Sequence, residues 1–412
     1  MFNKMVSYKY PRNLLMLFEL LALFLLFIYS KDNLNKFTFI YGIGLILIVY
    51  VSNFLLLRIS TGDTYIFLIV TMLISIGLIM IYRIDPLLGI KQILWIGMGI
   101  FIFFLTYLVF KNIKGWEEWT YFYGIGSIIL FIITLLFGSR IRGAINWISI
   151  GGLSIQPSEI IKLLTIFLIA SYYTRYEHFK KQKYGSYYLI ATTYLFILFL
   201  FLQRDLGTVL ILYTLFIALQ FIYEENRRLI LYNLLFSIVS GFLGYLLFPH
   251  VRIRFETWLN PWKYIDNKGY QITQSLFAIA EGGFFGTGLG LGHPDFIPEV
   301  HTDFIFSAIC EEMGIFTGMG IIMLFLILVY RGFKIGINQK IKFYRIVAIG
   351  ISILFGIQSF IIFGGVLKMI PLTGITIPFV SYGGSSMLSS FIALGILQVA
   401  SEELDFEEAK DG

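Results

Sequence analysis

A single acidic side chain stands in the longest polar stretch of the chain, LNPWKYIDNKGYQITQS, residues 259–275. This acid is Asp266, and the rings of Tyr264 and Trp262 lie two and four positions before it. A carboxylate held in a folded loop can take a proton from an attacking hydroxyl group, which is the role of a general base. Gly269 permits a backbone turn that would direct the carboxylate inward. We therefore predict that Asp266 is a general base, partly buried beside the two rings.

The segments on either side of this stretch carry groups that bind anions. Arg252 and Arg254 could hold a phosphate or a carboxylate through paired hydrogen bonds, and arginines also anchor lipid headgroups. The glycine-rich run GGFFGTGLGLG, residues 282–292, could bring backbone amides close to a phosphate. It fits a turn between two re-entrant segments equally well, because it lacks the strand-to-helix context of phosphate-binding loops.

A further group of polar residues resembles a set of metal ligands. The segment HPDFIPEVHTD places five of them within eleven residues: His293, Asp295, Glu299, His301 and Asp303. Their spacing matches no standard zinc site, which needs pairs of ligands at short, fixed intervals. The sequence therefore leaves open whether these residues bind a metal ion.

Ionisable residues also interrupt the apolar runs of the chain, where an unpaired charge is costly and suggests function. Glu159 and Lys162 are three positions apart on one predicted helix, so they can pair with each other. Glu311, Glu312 and Gln358 fall in two later runs. One polar cavity open to the outside would satisfy all five groups. Hydrogen bonding between helices, without a substrate, is the alternative.

The elements that position these groups are predicted to be membrane helices. Hydrophobic residues make up 58% of the chain and charged residues 14%, with a mean hydropathy of +0.82, which is typical of an integral membrane protein. A transmembrane helix needs about 20 apolar residues, whereas barrel strands have about 10 of alternating polarity. We predict an all-α, polytopic membrane bundle. Its twelve apolar runs lie near residues 13–30, 37–57, 64–82, 92–110, 119–137, 158–173, 187–203, 207–223, 229–248, 301–330, 345–366 and 375–400.

The distribution of basic residues predicts the orientation. With the N-terminus placed inside, Lys and Arg number 18 in the inner segments and 12 in the outer segments. Cytoplasmic loops carry the excess of basic residues, so both termini are predicted to face the cytoplasm and residues 249–300 the outside. The acidic end SEELDFEEAKDG, residues 401–412, is then a solvated cytoplasmic tail. The net charge of +6 reflects this topology, and no pattern typical of nucleic-acid binding is present.

Six segments of the chain occur in an order typical of one protein family. They are GAINWISIGGLSIQPSEIIKL (143–163), QRDLGT (203–208), GYQITQSLFAI (269–279), GTGLG (286–290), HTDFIFSAICEEMG (301–314) and IPLTGITIPFVSYGGSS (370–386). Together these segments resemble the SEDS family, the shape, elongation, division and sporulation proteins of RodA and FtsW type. The resemblance extends over roughly residues 64–400. The chain as a whole resembles the longer, twelve-helix members of the family.

The resemblance implies a multi-pass enzyme of the bacterial cytoplasmic membrane that polymerises lipid II into the glycan strands of peptidoglycan. It also implies a class B penicillin-binding protein, a transpeptidase, as partner. The family core has ten helices, so residues 63–400 would form this core and residues 1–62 an added two-helix hairpin at its periphery. A lipid II flippase or a non-catalytic scaffold of a wall-synthesis complex is the alternative. A role in elongation, division or sporulation stays open.

The chemistry of this reaction suggests roles for the polar residues. A sugar hydroxyl attacks an anomeric carbon whose leaving group is a lipid pyrophosphate, so the hydroxyl needs a base and the pyrophosphate needs Arg, Lys or a divalent cation such as Mg²⁺ or Mn²⁺. The family often places its acid where this chain has Tyr264, so the role passes to Asp266 only across a small alignment gap. Glu299 and Asp303 are the next candidates. The substrate-binding candidates are Arg252, Arg254, Lys162, Glu159, Gln274, Glu299, His301, Asp303, Glu312 and Ser381.

Overall fold

The computed structural model describes residues 2–29, 36–141, 144–151, 153–182 and 185–402. Fifteen α helices follow one another in these ranges: α1 (Phe2–Tyr29), α2 (Lys36–Ile59), α3 (Tyr65–Ile84), α4 (Pro86–Asn112), α5 (Thr120–Phe137), α6 (Pro157–Thr174), α7 (Tyr176–Lys180), α8 (Gly185–Gln203), α9 (Leu206–Tyr223), α10 (Arg227–Leu247), α11 (Pro249–Leu259), α12 (Tyr270–Gly282), α13 (Ile305–Asn338), α14 (Lys342–Val366) and α15 (Gly384–Ala400). Three strands lie between α5 and α6: β1 (Ser139–Ile141), β2 (Ala144–Ile150) and β3 (Leu153–Ile155). Short 3₁₀ helices occupy Trp116–Glu118, Pro261–Tyr264 and Pro294–Phe296.

The long helices form an apolar bundle, which confirms the predicted helical membrane fold. Each of the twelve predicted runs falls on a helix, and eight helices in the described residues are long and apolar enough to cross a membrane. The number of helices that do cross it stays a prediction. In the apolar windows of α3 and α14, 83% of the residues are buried, against 17% in α10. Helices α3 and α14 therefore lie at the centre of the bundle, whereas α10 presents most of its surface to the surroundings.

The last apolar run differs from the prediction at its beginning. The sequence predicts a helix over residues 375–400, but α15 begins only at Gly384. Residues 367–383 have no regular helix or strand. Pro371 and Pro378 lie in this segment, and a proline lacks the N–H group that a helix interior uses. This irregular segment is therefore free to contribute backbone and side-chain groups to a site at the end of the bundle.

A small antiparallel sheet of order β1–β2–β3 connects α5 to α6 and is absent from the all-α prediction. Ile141 lies opposite Ala144, and Ile148 lies opposite Ile155. The β-branched and aromatic residues of INWISI favour a strand. These strands have only 3, 7 and 3 residues, far fewer than the roughly 20 apolar residues that indicate a membrane helix, which explains their absence from the prediction.

The two N-terminal helices pack against α3 and α4. Asn53 of α2 donates a hydrogen bond to Thr71 Oγ1 of α3 at 3.4 Å. Ser75 of α3 donates to the carboxylate of Glu19 of α1, which is buried. These contacts join α1 and α2 to the first core helix through buried polar groups as well as through apolar packing. That residues 1–62 form a separable addition stays a prediction.

The carboxylate of Glu402 closes one end of the bundle. We call the end of the bundle that carries residues 249–304 the loop end. The end that carries Glu402 is called the opposite end. Glu402 Oε1 accepts hydrogen bonds from Ser60 Oγ and Tyr107 OH, each at 2.6 Å. Its Oε2 pairs with Lys111 Nζ at 2.9 Å. The chain after α15 is thus tied to α4 and to the turn before α3.

The prediction of a solvated acidic tail is therefore wrong for Ser401 and Glu402, and residues 403–412 lie outside the described residues. Glu402 is only 5% exposed, because donors from distant parts of the chain converge on it. Burial raises the pKa of this carboxyl, but the hydrogen bonds from the same three donors outweigh burial. The pKa of Glu402 consequently lies below its ordinary value.

Candidate functional site

Asp266 lies in a closed turn at the loop end, between α11 and α12. The backbone N–H of Gly269 donates to the carbonyl oxygen of Tyr264 at 2.8 Å, which closes the turn. A Cβ at position 269 would stand 2.3 Å from the carbonyl oxygen of Pro261, so only glycine permits this approach. The turn that carries Asp266 is therefore fixed by the backbone.

The predicted partial burial of Asp266 is wrong, because its side chain is exposed. Trp262 packs against Phe277 of α12, with ring centroids 5.7 Å apart. The hydroxyl of Tyr264 donates to Glu256 Oε2 at 3.4 Å. Both rings are thus engaged with other partners and leave the carboxylate in contact with water. A base at this position would be shielded from water only by a bound substrate.

Arg252 of α11 is already paired. Its Nε lies 2.8 Å from Glu256 Oε1, one helical turn later. The hydrogen bond from Arg252 lowers the pKa of the Glu256 carboxyl. Because this exposed pair is neutral overall, Arg252 has less charge to offer an anion than the sequence suggests.

Arg254 has a different environment, among groups from three other segments. Its Nη1 donates to the carbonyl oxygen of Thr373 at 3.1 Å. Crowding by protein atoms lowers the pKa of the guanidinium, and the charges of Asp205 and Asp303 oppose this shift. An arginine nevertheless stays protonated in proteins. Arg254 is therefore a cation in a polar region that it shares with two acids.

Asp205 also belongs to this polar region and is absent from the predicted site residues. It caps the N-terminus of α9, where its Oδ1 accepts from Thr208 N at 3.1 Å. Its Oδ2 accepts from Asn146 Nδ2 of β2 and from Gln156 Nε2, each at 3.2 Å. The small sheet thus holds the acid in place. The signal in the sequence is an acid between two apolar runs at a helix start.

Backbone strain is concentrated in the loops around these groups. In the described residues, the non-glycine residues with positive φ are Arg204 (61°), Glu299 (58°), Lys368 (58°) and Phe379 (65°). Each such residue costs about 1–3 kcal/mol and is common at functional sites, where surrounding contacts fix it. Trp258 Nε1 of α11, for example, donates to the carbonyl oxygen of Lys368 at 3.0 Å. Helix α11 therefore covers the irregular segment before α15.

The five residues of HPDFIPEVHTD do not form one cluster. Glu299 Oε2 lies 3.7 Å from His301 Nε2. Asp303 Oδ2 instead lies 3.5 Å from the point where a Cβ on Gly374 would stand, and the side chain of Asp295 is exposed. Within the part of the chain that the structure describes, no group of three or more His, Cys, Asp or Glu residues is arranged to hold a metal ion.

Ser381 and Gln274 differ in their surroundings. Ser381 is buried, and its Oγ donates to the carbonyl oxygen of Thr302 at 2.7 Å and accepts from Ile377 N at 2.9 Å. Its hydroxyl therefore ties the segment before α15 to the residues before α13. Gln274 is half-buried on α12. The contacts of Ser381 explain a structural role, whereas a substrate-binding role for either residue stays a prediction.

The predicted pairing of Glu159 with Lys162 is confirmed. Lys162 Nζ lies 2.8 Å from Glu159 Oε1 and donates to Gln358 Oε1 at 3.3 Å. Ser389 Oγ donates to Glu159 Oε2 at 2.7 Å. Gln358 Nε2 donates to the carbonyl oxygen of Thr376 at 3.0 Å. A hydrogen-bonded path thus leads from the irregular segment at the loop end to an ion pair inside the bundle.

The glycine-rich run 282–292 packs against a break in α13. The helix is interrupted at Gly314, where φ is +84° and a Cβ would stand 2.4 Å from the carbonyl oxygen of Phe284. Backbone N–H groups of Thr287 and Gly288 donate to carbonyl oxygens of α13 at 2.8 and 3.0 Å. These amides are therefore unavailable to a phosphate, and of the two alternatives the structure supports the turn.

Glu311 and Glu312 belong to this second network. Glu312 Oε2 accepts from Gly290 N at 2.8 Å, and its Oε1 lies 2.9 Å from Arg83 Nη2. Glu311 Oε1 accepts from His293 N at 2.6 Å. The prediction of one polar cavity for all five buried groups is therefore wrong. The two glutamates bind the glycine-rich run, His293 and Arg83, whereas Glu159 and Lys162 bind Ser389 and Gln358.

The fold and the site together define a polytopic helical membrane protein with a polar, partly strained site at the loop end. Residues 63–405 match the family model described as "Cell cycle protein", whose members are FtsW, RodA and SpoVE. The match extends over most of the chain, so the chain belongs to this FtsW/RodA/SpoVE family. The resemblance to the SEDS proteins is thereby confirmed.

Several relatives are similar over most of their length. A protein of Mycobacterium bovis named "Peptidoglycan glycosyltransferase RodA" is 35% identical over 356 residues, which covers 80% of this chain and 76% of that protein. "Stage V sporulation protein E" of Bacillus subtilis is 33% identical over 356 residues, covering 82% and 96%. "Probable peptidoglycan glycosyltransferase FtsW" of Wigglesworthia glossinidia brevipalpis is 32% identical, covering 83% and 94%.

Two solved structures share the fold. One is described as "Structural coordination of polymerization and crosslinking by a peptidoglycan synthase complex" and superposes with a TM-score of 0.70 at 24% identity, covering 82% of this chain and 97% of that chain. The other is the rod shape determining protein RodA of Thermus thermophilus, with a TM-score of 0.62 at 23% identity, covering 83% and 97%. At these identities the similarity establishes the fold alone.

Proposed function

We propose that this protein is a peptidoglycan glycosyltransferase that polymerises lipid II into glycan strands in the bacterial cytoplasmic membrane. The observation that carries the proposal is the combination of groups at the loop end. An exposed acid on a fixed turn, Asp266, occurs in the same outer segment as Arg254, a cation whose pKa is influenced by the charges of Asp205 and Asp303. The names of the family's relatives support the class of reaction.

A lipid-linked pyrophosphate suits this end of the molecule. Arg254 offers a cation for the pyrophosphate, and α11, which carries it, follows directly after α10. The side chains of Leu235, Phe242 and Leu246 on α10 are exposed and apolar. A polyprenyl tail could lie along such a surface within the bilayer, because apolar chains are driven from water. Head and tail would then be bound by consecutive helices.

In the proposed reaction, Asp266 accepts the proton of a sugar hydroxyl while the oxygen attacks the anomeric carbon of the second substrate. The bond between that carbon and the pyrophosphate oxygen breaks, and the electron pair leaves with the lipid pyrophosphate. Arg254 stabilises the negative charge that develops on the leaving group. The resulting Asp266 carboxylic acid then releases its proton to water, to which the side chain is open, and the carboxylate is regenerated.

A divalent cation is a second source of positive charge. Asp205 and Asp303 supply carboxylate oxygens near Arg254, and the buried Asn146 Oδ1 has no hydrogen-bond partner. Oxygen donors of this kind are the ligands that Mg²⁺ and Mn²⁺ use. When bound there, such an ion would supply positive charge to the departing pyrophosphate.

Purified protein with labelled lipid II tests the proposal. Asp266→Asn should lose polymer formation by about 10²–10⁴, the usual contribution of a general base. Asp295→Asn is the matched control, because Asp295 is another exposed acid of the same segment, and it should retain wild-type activity. If Asp266→Asn stays active while Glu299→Gln or Asp303→Asn does not, the base is reassigned. Translocation of lipid II without polymer would instead indicate a flippase.

The proposal extends to the partner and the orientation. A class B penicillin-binding protein is the proposed partner, supported by the fold's similarity to a chain of a peptidoglycan synthase complex. Both termini are proposed to face the cytoplasm. A cysteine at Lys268 should then react with an impermeant thiol reagent in intact cells, with little background because Cys310 is buried. Labelling only after lysis would reverse the orientation.

A further inference from the structure

A cavity of about 280 Å³ opens at the opposite end of the bundle, far from the proposed reaction site. It lies between the end of α13, the turn before α3 and the residues after α15. Its charged and polar lining includes Asp63, Arg331, Lys334, Asn338, Lys340 and Glu402. This volume is at the lower limit of small-molecule sites, so it accommodates a headgroup rather than a whole lipid.

The charges of the lining leave a positive surplus. Asp63 Oδ2 lies 2.6 Å from Arg331 Nη1, so these two groups neutralise each other. Glu402 is neutralised by Lys111, which lies outside the cavity. Lys334 and Lys340 are exposed on the lining, and among its described residues no acid is left to balance them. The cavity is therefore cationic and suited to an anion.

The wall of the cavity is fixed by buried and partly buried hydrogen bonds. Gln339 is buried, and its Nε2 donates to the carbonyl oxygen of Ala400 at 2.7 Å. Its Oε1 accepts from Ile341 N at 3.1 Å. Asp63 N donates to Ser401 Oγ at 2.9 Å. The cavity is thus a preformed feature held by three segments of the chain.

The position of Lys334 on α13 indicates that the anion belongs to a lipid. Tyr330, Lys334 and Ile337 are spaced four and three residues apart, so they lie on one face of the helix. Tyr330 is 66% exposed and Ile337 is 70% exposed. Since α13 is long and apolar enough to cross a membrane, this face presents apolar side chains to acyl chains and an ammonium group to a phosphate.

We propose that this cavity binds the headgroup of an anionic phospholipid, with its phosphate held by Lys334 and Lys340 and its acyl chains against the exposed face of α13. In the proposed orientation this end meets the cytoplasmic leaflet, whose anionic lipids attract clustered basic residues. The inference does not depend on the proposed enzymatic activity, because no group of the reaction site takes part.

Lipid binding by the full-length protein in detergent tests this site. Phosphatidylglycerol and phosphatidylcholine are titrated separately, and bound lipid is counted by native mass spectrometry. The double variant Lys334→Gln/Lys340→Gln should bind phosphatidylglycerol about 30-fold more weakly, equivalent to about 2 kcal/mol for two basic residues at a membrane surface. Binding of phosphatidylcholine should not change.

The matched control is Lys181→Gln/Lys342→Gln. Both lysines are exposed and outside the cavity lining, so this variant removes the same charge without touching the site. An equal loss of phosphatidylglycerol binding in the control would overturn the proposal, because general charge attraction would then explain it. Inorganic phosphate should displace little lipid, and complete displacement at millimolar concentration would show an ion site instead.

A thermal measurement keeps the test decisive if a variant is unstable. Phosphatidylglycerol, but not phosphatidylcholine, should raise the unfolding midpoint of the wild-type protein, because a ligand that binds only the folded state stabilises it. Equal shifts with both lipids would contradict the proposal.

Discussion

Removing the ammonium group of Lys162 should strongly destabilise the protein. In Lys162→Met, a side chain of similar length replaces the lysine without its charge. Lys162 and Glu159 have side-chain exposures of only 2% and 6%, so water cannot solvate the carboxylate that remains. The Glu159 carboxylate would keep a single hydrogen bond, from Ser389 at 2.7 Å. Gln358 would also lose the donor to its Oε1.

The expected magnitude follows from these contacts. Breaking a buried ion pair by removing one partner typically costs about 3–5 kcal/mol, because the other charge is left uncompensated. Removing both charges is much less costly, so Glu159→Gln/Lys162→Met should lose only about 1–2 kcal/mol. The stability losses of the two single variants should therefore add up to several kcal/mol more than the loss of the double variant, which is the sign of a coupled pair.

Unfolding of the purified protein in detergent measures these differences in stability. The wild type, both single variants and the double variant are compared by thermal midpoint, with lipid II polymerisation measured in parallel. A Lys162→Met variant as stable as the wild type, or single effects that simply add, would refute the reasoning. If the double variant is stable yet inactive, the pair also takes part in substrate binding.

Three further predictions concern other contacts. Glu402→Gln should be less stable than the wild type at neutral pH, and the difference should vanish as pH falls. Because the pKa of Glu402 is lowered in the folded protein, the carboxylate contributes its full stabilisation above the pKa of an unfolded glutamate, about 4.3, and loses it below the folded pKa. A stability difference that does not change with pH would contradict this. Gly314→Ala should cost more than about 1 kcal/mol, since φ is +84° and Phe284 O would lie 2.4 Å from the new Cβ, and an unchanged unfolding midpoint would disprove the requirement. Deletion of residues 1–62 should leave polymerisation intact while lowering stability, because Glu19 and Asn53 contact α3; a folded but inactive deletion variant would show that the hairpin is part of the enzyme.

The sequence by itself determined the elements that depend on short-range properties. Each of the twelve apolar runs contains a helix, although the last is helical only from Gly384, because about 20 apolar residues in a row can satisfy their backbone in a membrane only as a helix. The pairing of Glu159 with Lys162 follows from their spacing of three on one helix. The family segments likewise predicted the membership that the comparison established.

The tertiary structure decided which polar groups meet, because their partners are far away in the sequence. Arg254 contacts Thr373, 119 positions later, whereas Arg252 forms an ion pair with its neighbour Glu256. Nothing in the sequence distinguishes the two arginines in this respect. Ser60 contacts Glu402, 342 positions later, so the first two residues of the predicted free tail are part of the fold. Hydropathy and spacing describe one helix at a time. Which faces of different helices and loops meet depends on packing, and that packing places Asn146 and Gln156 on Asp205 and leaves Asp266 in contact with water.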